Sequence, residues 1–158
     1  AVQYYDLNEA IRVGRALEEN GFTWFEEPVR DQDFRSLKKL REAVGVPVVA
    51  GESFPHHIHS YGQMLAMGAV DGIKPPVGSG GITETLRILD LAQLHEVPVI
   101  PHRGGEIWGL HLIAATDCEN LAETHPAEGM TKVIPALSCK HDNEEQRSGS
   151  DDCLARRR

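Results

Sequence analysis

The sequence contains neither a long hydrophobic run nor a cysteine-rich framework, and each absence argues against a class of protein. No apolar stretch approaches the roughly 20 residues that a membrane-spanning helix needs. The first residues show no basic segment followed by an apolar one, so no signal peptide is expected. The three cysteines, Cys118, Cys139 and Cys153, form no CxxC pair, which argues against a disulfide framework and a structural zinc site. We therefore expect a cytoplasmic protein with reduced thiols and no membrane partner.

Basic residues are also too few for a protein that binds nucleic acid. The 16 lysines and arginines are outnumbered by 24 acidic residues, and the formal net charge is −8. Such an acidic chain repels a phosphate backbone, and it presents no polybasic face to an anionic membrane. With 158 residues, of which 41% are hydrophobic, the chain has the composition of a globular domain with its own core.

What the sequence does contain is a series of short apolar segments that each end in an ionisable residue. Strand endings are predicted near Glu26, Glu52, Lys74, His102 and Glu123, which are spaced 21 to 28 residues apart. A strand and a helix fit within each interval, and repeated βα units of this length build a parallel (β/α) barrel. A complete barrel takes about 250 residues. The predicted fold class is therefore α/β, a partial (β/α) TIM-type barrel of about five βα units with parallel strands.

Hydrophobic periodicity and capping residues predict the individual elements. Asp6 and Glu9 form a capping box before a helix that ends at Gly21. Further helices are predicted over residues 34–44, 60–67, 83–95 and 107–115, and strands over 22–26, 46–51, 70–74, 97–101 and 120–123. The last part of the chain is polar and has no apolar periodicity. Residues 1–135 are therefore predicted to form the barrel domain, and residues 136–158 a disordered tail.

Glu26 and Glu52 are the strongest candidates for a functional site. Carboxylates at the ends of adjacent parallel strands converge, and a hard cation such as Mg²⁺ prefers carboxylate oxygens. The simpler interpretation is that each glutamate caps the following helix or pairs with a lysine. Two glutamates at equivalent positions, one repeat apart, favour the metal. His102 ends a later strand on the same rim, where it could transfer protons or serve as a hydrogen-bonded structural histidine.

Two other motifs give weaker signals. The segment 78–81 (Gly-Ser-Gly-Gly) precedes a predicted helix and could bind a phosphate. It lacks the P-loop lysine and the GxGxxG spacing, so a tight βα turn is favoured. His56, His57 and His59 lie close together without the His-x-x-x-His spacing of a zinc-binding helix. A loop near the rim, with one histidine close to a substrate, is favoured there.

Taken together, the motifs resemble the barrel domain of the enolase superfamily, in its mandelate racemase/muconate lactonizing branch. The resemblance covers roughly residues 2–130 and is specific as a set, although no single motif is. The residues that carry it are Trp24-Phe25-Glu26-Glu27-Pro28, Ala50-Gly51-Glu52, Gly80-Gly81-Ile82-Thr83-Glu84 and Pro101-His102.

The resemblance implies a Mg²⁺ cofactor that is held by acidic residues at the ends of three consecutive strands. Glu26 and Glu52 match the second and third of these positions, and Glu27 would contact the metal ligands rather than the metal. The metal of such enzymes binds the substrate carboxylate and stabilises the enediolate that forms when the α-proton leaves. The first position, an aspartate, would fall just before Ala1.

The same resemblance assigns the substrate contacts. The expected partner is a small-molecule hydroxy-carboxylate, an acid sugar. His102 matches the histidine that serves as acid or base, while Glu123 and Arg103 are candidates for substrate binding. Many relatives have Pro-Asp where this chain has Pro75-Pro76. His102 is therefore expected to lack its orienting aspartate and to act as an acid toward a departing hydroxyl.

The expected activity is Mg²⁺-dependent removal of the proton α to a carboxylate, followed by β-elimination of water, in an acid-sugar dehydratase (a lyase). A racemase, epimerase or cycloisomerase of the same superfamily is the alternative. The lysine-bearing strand and the capping domain of the family are missing, so the chain is expected to be a fragment that is inactive alone. Because exposed parallel strand edges associate, we also expect a homo-oligomer, and a non-catalytic half-barrel that self-associates is a further alternative.

Overall fold

Helices and strands alternate along the described part of the chain, which is residues 1–53, 57–104, 107–119 and 121–123 of a computed structural model. The helices are α1 (Leu7–Glu19), α2 (Phe34–Ala43), α3 (Ile58–Ala66), α4 (Val77–Leu94) and α5 (Ile107–Ala115), and the strands are β1 (Phe25–Glu26), β2 (Val48–Ala50) and β3 (Gly72–Ile73). This order confirms the predicted α/β class. The predicted tail, residues 136–158, lies outside the described residues.

The three strands form a small parallel sheet in the order β1-β2-β3. Parallel pairing continues beyond β3 through two isolated bridges, one from Ile73 to Val99 and one from Pro76 to His102. Because all these pairings are parallel, the carboxyl ends of the paired segments lie at one edge of the sheet. A barrel of about five βα units remains a prediction.

The first two strands are shorter than predicted, for reasons that are visible in the backbone hydrogen bonds. Phe22, at the start of the first predicted strand, donates its N–H to the carbonyl of Leu17 at 3.1 Å, so it belongs to the turn that ends α1. In the second predicted strand, Pro47 has no N–H to donate. The N–H of Val48 is bonded to the Asp71 side chain at 2.8 Å. The segments with strand propensity are therefore longer than the segments that pair in the sheet.

The last two predicted strands are not formed as strands. Residues 97–101 make one isolated bridge to the sheet, from Val99 to Ile73, and no strand is assigned over residues 121–123. The N–H of Glu119 donates to the carbonyl of Val99 at 2.9 Å, which keeps this part of the chain beside the segment that follows α4. Asn120 lies outside the described residues.

The ends of α1, α2 and α5 lie close to their predicted positions, whereas α3 begins at Ile58 rather than at Ser60 and α4 begins at Val77 rather than at Thr83. The capping box predicted for α1 is formed. At the start of α1 the N–H of Glu9 donates to Asp6 Oδ1 at 2.9 Å, and the N–H of Asp6 donates to Glu9 Oε2 at 3.3 Å. Gly21 follows the helix with a φ of +69°, which glycine adopts without strain. The predicted bounds of α5, residues 107–115, are confirmed.

The centre of the core is β2, whose three residues are completely buried. Side chains from the helices and the neighbouring strands surround it; the core includes Ala10, Phe25, Leu37, Leu40, Tyr61, Met64, Ile73, Ile88 and Ala92. A central parallel strand that is covered on both faces reads as a continuous apolar run. The prediction of a buried strand here is confirmed.

The longest helix, α4, is interrupted at Gly81, where φ is +73° and ψ is 164°. The segment 78–81, predicted as a tight turn, thus lies within the first turn of α4 and at the break that follows it. The hydroxyl of Thr85 donates to the Gly81 carbonyl at 2.9 Å. Within the described residues, no helix is both long and apolar enough to cross a membrane.

Replacing Gly81 by alanine is expected to destabilise the chain by about 1–2 kcal/mol, because an L side chain is strained at this positive φ. Space is not limiting, since a Cβ atom at Gly81 or at Gly78 meets no atom within 4 Å. Gly78→Ala is therefore the matched control, and it should be neutral or slightly stabilising. Urea unfolding measures both variants, and equal unfolding free energies for the two would contradict the prediction.

Candidate active site

Charged side chains from the carboxyl ends of the strands meet around the ammonium of Lys74. Lys74 follows β3, and its Nζ lies 2.9 Å from Oε1 of Glu26, the last residue of β1. The same nitrogen lies 3.8 Å from Oε2 of Glu52, in the loop after β2, and 3.2 Å from Oε2 of Glu123. The parallel register places these strand ends side by side, so the convergence follows from the topology.

Lys74 is almost completely enclosed, with 3% of its side chain exposed. Burial acts to lower the pKa of Lys74, but the hydrogen bonds and charges of Glu26 and Glu123 outweigh it and raise this pKa above its ordinary value. The ammonium is therefore charged at neutral pH and compensates part of the negative charge around it. Glu26 also accepts a hydrogen bond from Trp24 Nε1 at 2.9 Å, so both of its oxygens have partners.

His102 lies against the same carboxylates. Its Nδ1 is 2.9 Å from Glu52 Oε2 and 3.2 Å from Glu123 Oε2. Carboxylates at these distances orient the imidazole ring. The orienting aspartate is absent, since Pro76 stands in its place, and two glutamates from other parts of the rim, Glu52 and Glu123, lie beside the ring instead.

Glu123 is held as an ionised acceptor. Its Oε2 accepts the backbone N–H of Arg103 at 2.9 Å as well as the Lys74 ammonium at 3.2 Å. Burial acts to raise the pKa of Glu123, but these donors outweigh it and the pKa is lowered. Arg103 itself is exposed and has a φ of +53°, which turns its backbone N–H toward the cluster.

Two buried carboxyl groups hold the loop that carries Glu52. Glu27 Oε1 accepts the N–H of Glu52 at 3.3 Å, and Glu27 Oε2 accepts the hydroxyl of Ser53 at 3.1 Å. Asp31 Oδ2 accepts the N–H groups of Gly51 at 3.2 Å and of Ser53 at 3.1 Å. These contacts fix the backbone on both sides of Glu52 without using its own carboxylate.

Glu27 and Asp31 are each 1% exposed. Two carboxylates that are buried side by side repel each other, which favours the protonation of one of them. Burial raises the pKa of Glu27 to about 7, and its hydrogen bond to Asp31 and repulsion from that residue act in the same direction. Burial also raises the pKa of Asp31, while the bond to Glu27 opposes that shift. The pair therefore holds a proton from acidic pH to near neutrality, and Glu27 is the member whose pKa is raised to about 7. Glu27 also has a φ of +42°, uncommon for a residue with a side chain.

A small cleft of about 150 Å³ opens beside His102. Its lining comes from the loop after β2, the start of α4, the region of His102 and the first turns of α5, and includes Glu52, Val77, Ser79, His102, Arg103 and Trp108. Small-molecule pockets typically measure about 300–1,000 Å³. The cleft is smaller than such a pocket, and the Glu52 carboxylate and the His102 imidazole are part of its lining.

The resemblance implies a Mg²⁺ ion, which would find its oxygen donors at this edge of the sheet. Glu52 Oε2 is buried and, within the described ranges, accepts no hydrogen bond. Burial, and secondly the charge of Glu27, raise the pKa of Glu52, so a nearby cation would favour its ionised form. No group of three or more acidic, histidine or cysteine side chains in the described part is arranged to hold a metal. Glu26 and Glu52 offer the carboxylate oxygens that Mg²⁺ prefers, and they would supply part of its octahedral shell.

The remaining predicted motifs lie away from this cluster or at its border. His57 and His59 are exposed at the start of α3, and His56 lies outside the described residues. The segment 78–81 contributes Gly78 and Ser79 to the wall of the cleft, beside His102.

Reasoning from the sequence missed two residues of the site. Lys74 is one of the predicted strand endings. An ionisable residue at a strand ending is the feature that makes Glu26 and Glu52 candidates, and Lys74 shares this feature. Asp31 follows no strand and has no motif of its own. Its role depends on the approach of the loop around Glu52, which the sequence does not display.

Comparison with known proteins identifies relatives of the chain. Residues 1–147 match the family described as Enolase C-terminal domain-like. Over 123 residues the chain is 34% identical to D-galactarolactone cycloisomerase of Agrobacterium fabrum, covering 77% of this chain and 31% of that protein. It is 36% identical over 123 residues to L-talarate/galactarate dehydratase of Salmonella typhimurium, covering 75% of this chain and 30% of that protein.

A solved structure agrees with these relatives. The crystal structure of an L-talarate/galactarate dehydratase mutant liganded with Mg and L-glucarate matches with a TM-score of 0.68 and 34% sequence identity. The match covers 74% of this chain and 29% of that one. The chain therefore spans about 30% of the length of the relatives that it matches.

Proposed function

Because the chain belongs to the enolase C-terminal domain-like family, in the mandelate racemase/muconate lactonizing branch of the enolase superfamily, we propose that it forms part of the active site of an acid-sugar dehydratase. The observation that carries the proposal is the cluster at the strand ends. There Glu26, Glu52 and Glu123 surround Lys74, and His102 lies against two of these carboxylates. The substrate of the complete protein is a hydroxy-carboxylate.

His102 is proposed to perform both proton transfers. Nδ1 lies against Glu52 and Glu123. Nε2, the other ring nitrogen, is proposed to take the proton from the carbon α to the substrate carboxylate. The electron pair of the broken C–H bond forms a C=C bond as the β-hydroxyl leaves, and that oxygen takes the proton back from Nε2 and departs as water. The enol then tautomerises to a 2-keto acid. Both carboxylates stabilise the imidazolium that exists between the two transfers.

The other residues bind and orient the substrate. A Mg²⁺ ion held by Glu26 and Glu52 would supply positive charge to the substrate carboxylate and to the enediolate. Binding of Mg and L-glucarate by the dehydratase mutant of similar fold supports this cofactor. Glu123, being ionised, would accept a hydrogen bond from a sugar hydroxyl. Arg103 lines the cleft, where its guanidinium could pair with a second carboxylate.

A second candidate function is favoured by the cycloisomerase among the relatives, which is 34% identical to this chain. The same histidine could release the ring oxygen of a sugar lactone in place of a hydroxyl, since both are oxygens β to the carbon that loses its proton. Cytoplasmic location and a homo-oligomer remain predictions. Light scattering of the purified protein tests the second of them, and a monomeric mass would refute it.

The protein that carries these residues is expected to convert galactarate, L-talarate or L-glucarate to a 2-keto acid. Semicarbazide trapping measures the 2-keto acid, and mass spectrometry should show the loss of one water. Treatment with EDTA should abolish the reaction, and added Mg²⁺ should restore it. A cycloisomerase would instead convert D-galactarolactone to an isomer of unchanged mass. If none of these compounds is consumed, the proposed function is wrong.

A further inference from the structure

The ammonium of Lys74 lies between the two carboxylates that are proposed to hold Mg²⁺. It is 2.9 Å from Glu26 Oε1 and 3.8 Å from Glu52 Oε2, and 3% of the side chain is exposed. The ammonium donates a hydrogen bond to Glu26 Oε1, and it lies in the negative potential of both carboxylates that a bound metal ion would also occupy. Two cations in this space would repel each other strongly, because the enclosed site screens charges weakly.

We propose that Lys74 is an internal counter-cation that competes with a divalent metal ion for Glu26 and Glu52. The inference rests on the metal assignment of the proposed function and adds a property of this chain, namely that metal binding requires the ammonium to leave those two carboxylates. Glu123 gives the ammonium a place to remain. Lys74 Nζ already lies 3.2 Å from Glu123 Oε2, so this ion pair can persist when a metal takes the other two groups.

Substitution of Lys74 tests the competition directly. Lys74→Met keeps the length of the side chain and removes its charge, and it should lower the Kd for Mn²⁺, measured by isothermal titration calorimetry, by at least about tenfold. Lys74→Gln, made in parallel, still donates a hydrogen bond to Glu26 and should show a gain in the same direction. Circular dichroism with and without Mn²⁺ shows whether each variant is folded.

Arg41→Met is the matched control. It also removes a partly buried cation from an ion pair, since Arg41 Nε lies 2.7 Å from Asp71 Oδ1. That pair joins α2 to the segment before β3 and does not touch the cluster. Its loss should leave the affinity for Mn²⁺ unchanged, which separates a local competition from a general effect of net charge.

Chemical labelling of the wild-type chain supplies a second measurement that needs no variant. Lys74 is buried and paired, so it should react slowly with an amine-acetylating reagent, whereas Lys38 and Lys39 on α2 are exposed and serve as internal references. Mn²⁺ that displaces the ammonium should raise the acetylation of Lys74 relative to these two lysines. Peptide mass spectrometry measures the ratio.

The outcomes separate this inference from the proposed function. Equal Mn²⁺ affinities in the wild type and both Lys74 variants, or Mn²⁺ binding without a change in Lys74 acetylation, overturn the competition and leave the metal assignment intact. Absence of Mn²⁺ binding in every variant overturns both. A Lys74→Met chain that folds only when Mn²⁺ is present supports the inference, because the metal then replaces the missing charge.

Discussion

Glu52→Gln is expected to lower the turnover of the acid sugar by about 100-fold or more. The amide keeps the size of the side chain, but it offers no negative charge to a cation or to His102, whose Nδ1 lies 2.9 Å from Glu52 Oε2. Both the proposed metal and the imidazolium formed in the reaction lose a partner. Removal of one electrostatic group from a preorganised site typically costs about 10²–10³-fold in turnover. Steady-state kinetics at saturating Mg²⁺ measures the loss.

Folding should tolerate this change because the Glu52 carboxylate is poorly compensated in the native chain. Its Oε2 is buried and accepts no hydrogen bond from the described residues. Burial, with repulsion from Glu27, raises the pKa of Glu52. The backbone N–H of Glu52 keeps its bond to Glu27 in the variant. We therefore expect the unfolding free energy to change by less than about 1 kcal/mol.

The matched control is Glu42→Gln, which makes the same chemical change at an exposed position on α2. It should leave both turnover and stability unchanged. Full activity in Glu52→Gln would remove Glu52 from the site. A loss of activity accompanied by a matching loss of native structure would instead assign to Glu52 a role in folding alone.

The helices could be predicted from the sequence more completely than the strands. Local signals decide helix ends: the Asp6 side chain caps α1, and Gly21 follows its last turn. A strand exists only where another segment pairs with it, and that partner is distant in sequence. Phe22 has the propensity of a strand residue, yet its N–H closes the turn after α1. The apolar segment at 97–101 likewise pairs with the sheet through a single isolated bridge, from Val99 to Ile73.

The positions of the site residues were predictable, and their pairing was not. A periodic series of strand ends locates Glu26, Glu52 and His102 at one edge, because parallel strands share that edge. Which atoms meet there depends on side-chain reach across the sheet. The sequence has Pro76 where relatives carry an aspartate, and nothing local indicates that Glu123 takes a place beside His102.

The burial of Glu27 and Asp31 beside each other could not be predicted from the sequence either. Glu27 follows Glu26 in the motif and is predicted to contact the metal ligands. In the structure it is buried beneath the loop that carries Glu52, where it accepts the N–H of Glu52. Asp31, its partner, is an ordinary loop aspartate in the sequence. Burial of both groups is a property of the folded core, so their unusual proton affinity appears only in three dimensions.

Glu27→Gln is expected to remove a pH dependence of stability between about pH 4.5 and pH 7. Burial raises the pKa of Glu27 from 4.5 to about 7 in the folded chain. Within this window the native state binds more protons than the unfolded state. The contribution to the unfolding free energy is therefore fully present below pH 4.5 and is lost as the pH rises through 7. The whole loss corresponds to about 3 kcal/mol.

The glutamine side chain of the Glu27→Gln variant is neutral at every pH, so it reproduces the protonated form of Glu27. Its amide can donate to the Asp31 carboxylate, as the protonated carboxyl of Glu27 does, while its carbonyl still accepts the N–H of Glu52. The variant should therefore match the wild type near pH 4.5 and exceed it in stability above pH 7. Urea unfolding at half-unit intervals from pH 4.5 to 8 measures the difference between the two chains.

Asp33→Asn serves as the control for the sign of this effect. Bonds from Ser36 lower the pKa of Asp33, which lies at the start of α2, so Asp33 is ionised in both folded and unfolded chains throughout the window. Its substitution should shift the stability by the same amount at every pH tested. A constant difference between wild type and Glu27→Gln would show that Glu27 does not carry the proton. In that case a pH-dependent difference between wild type and Asp31→Asn would place it on Asp31, and the loop that carries Glu52 would be held by an ionised Glu27.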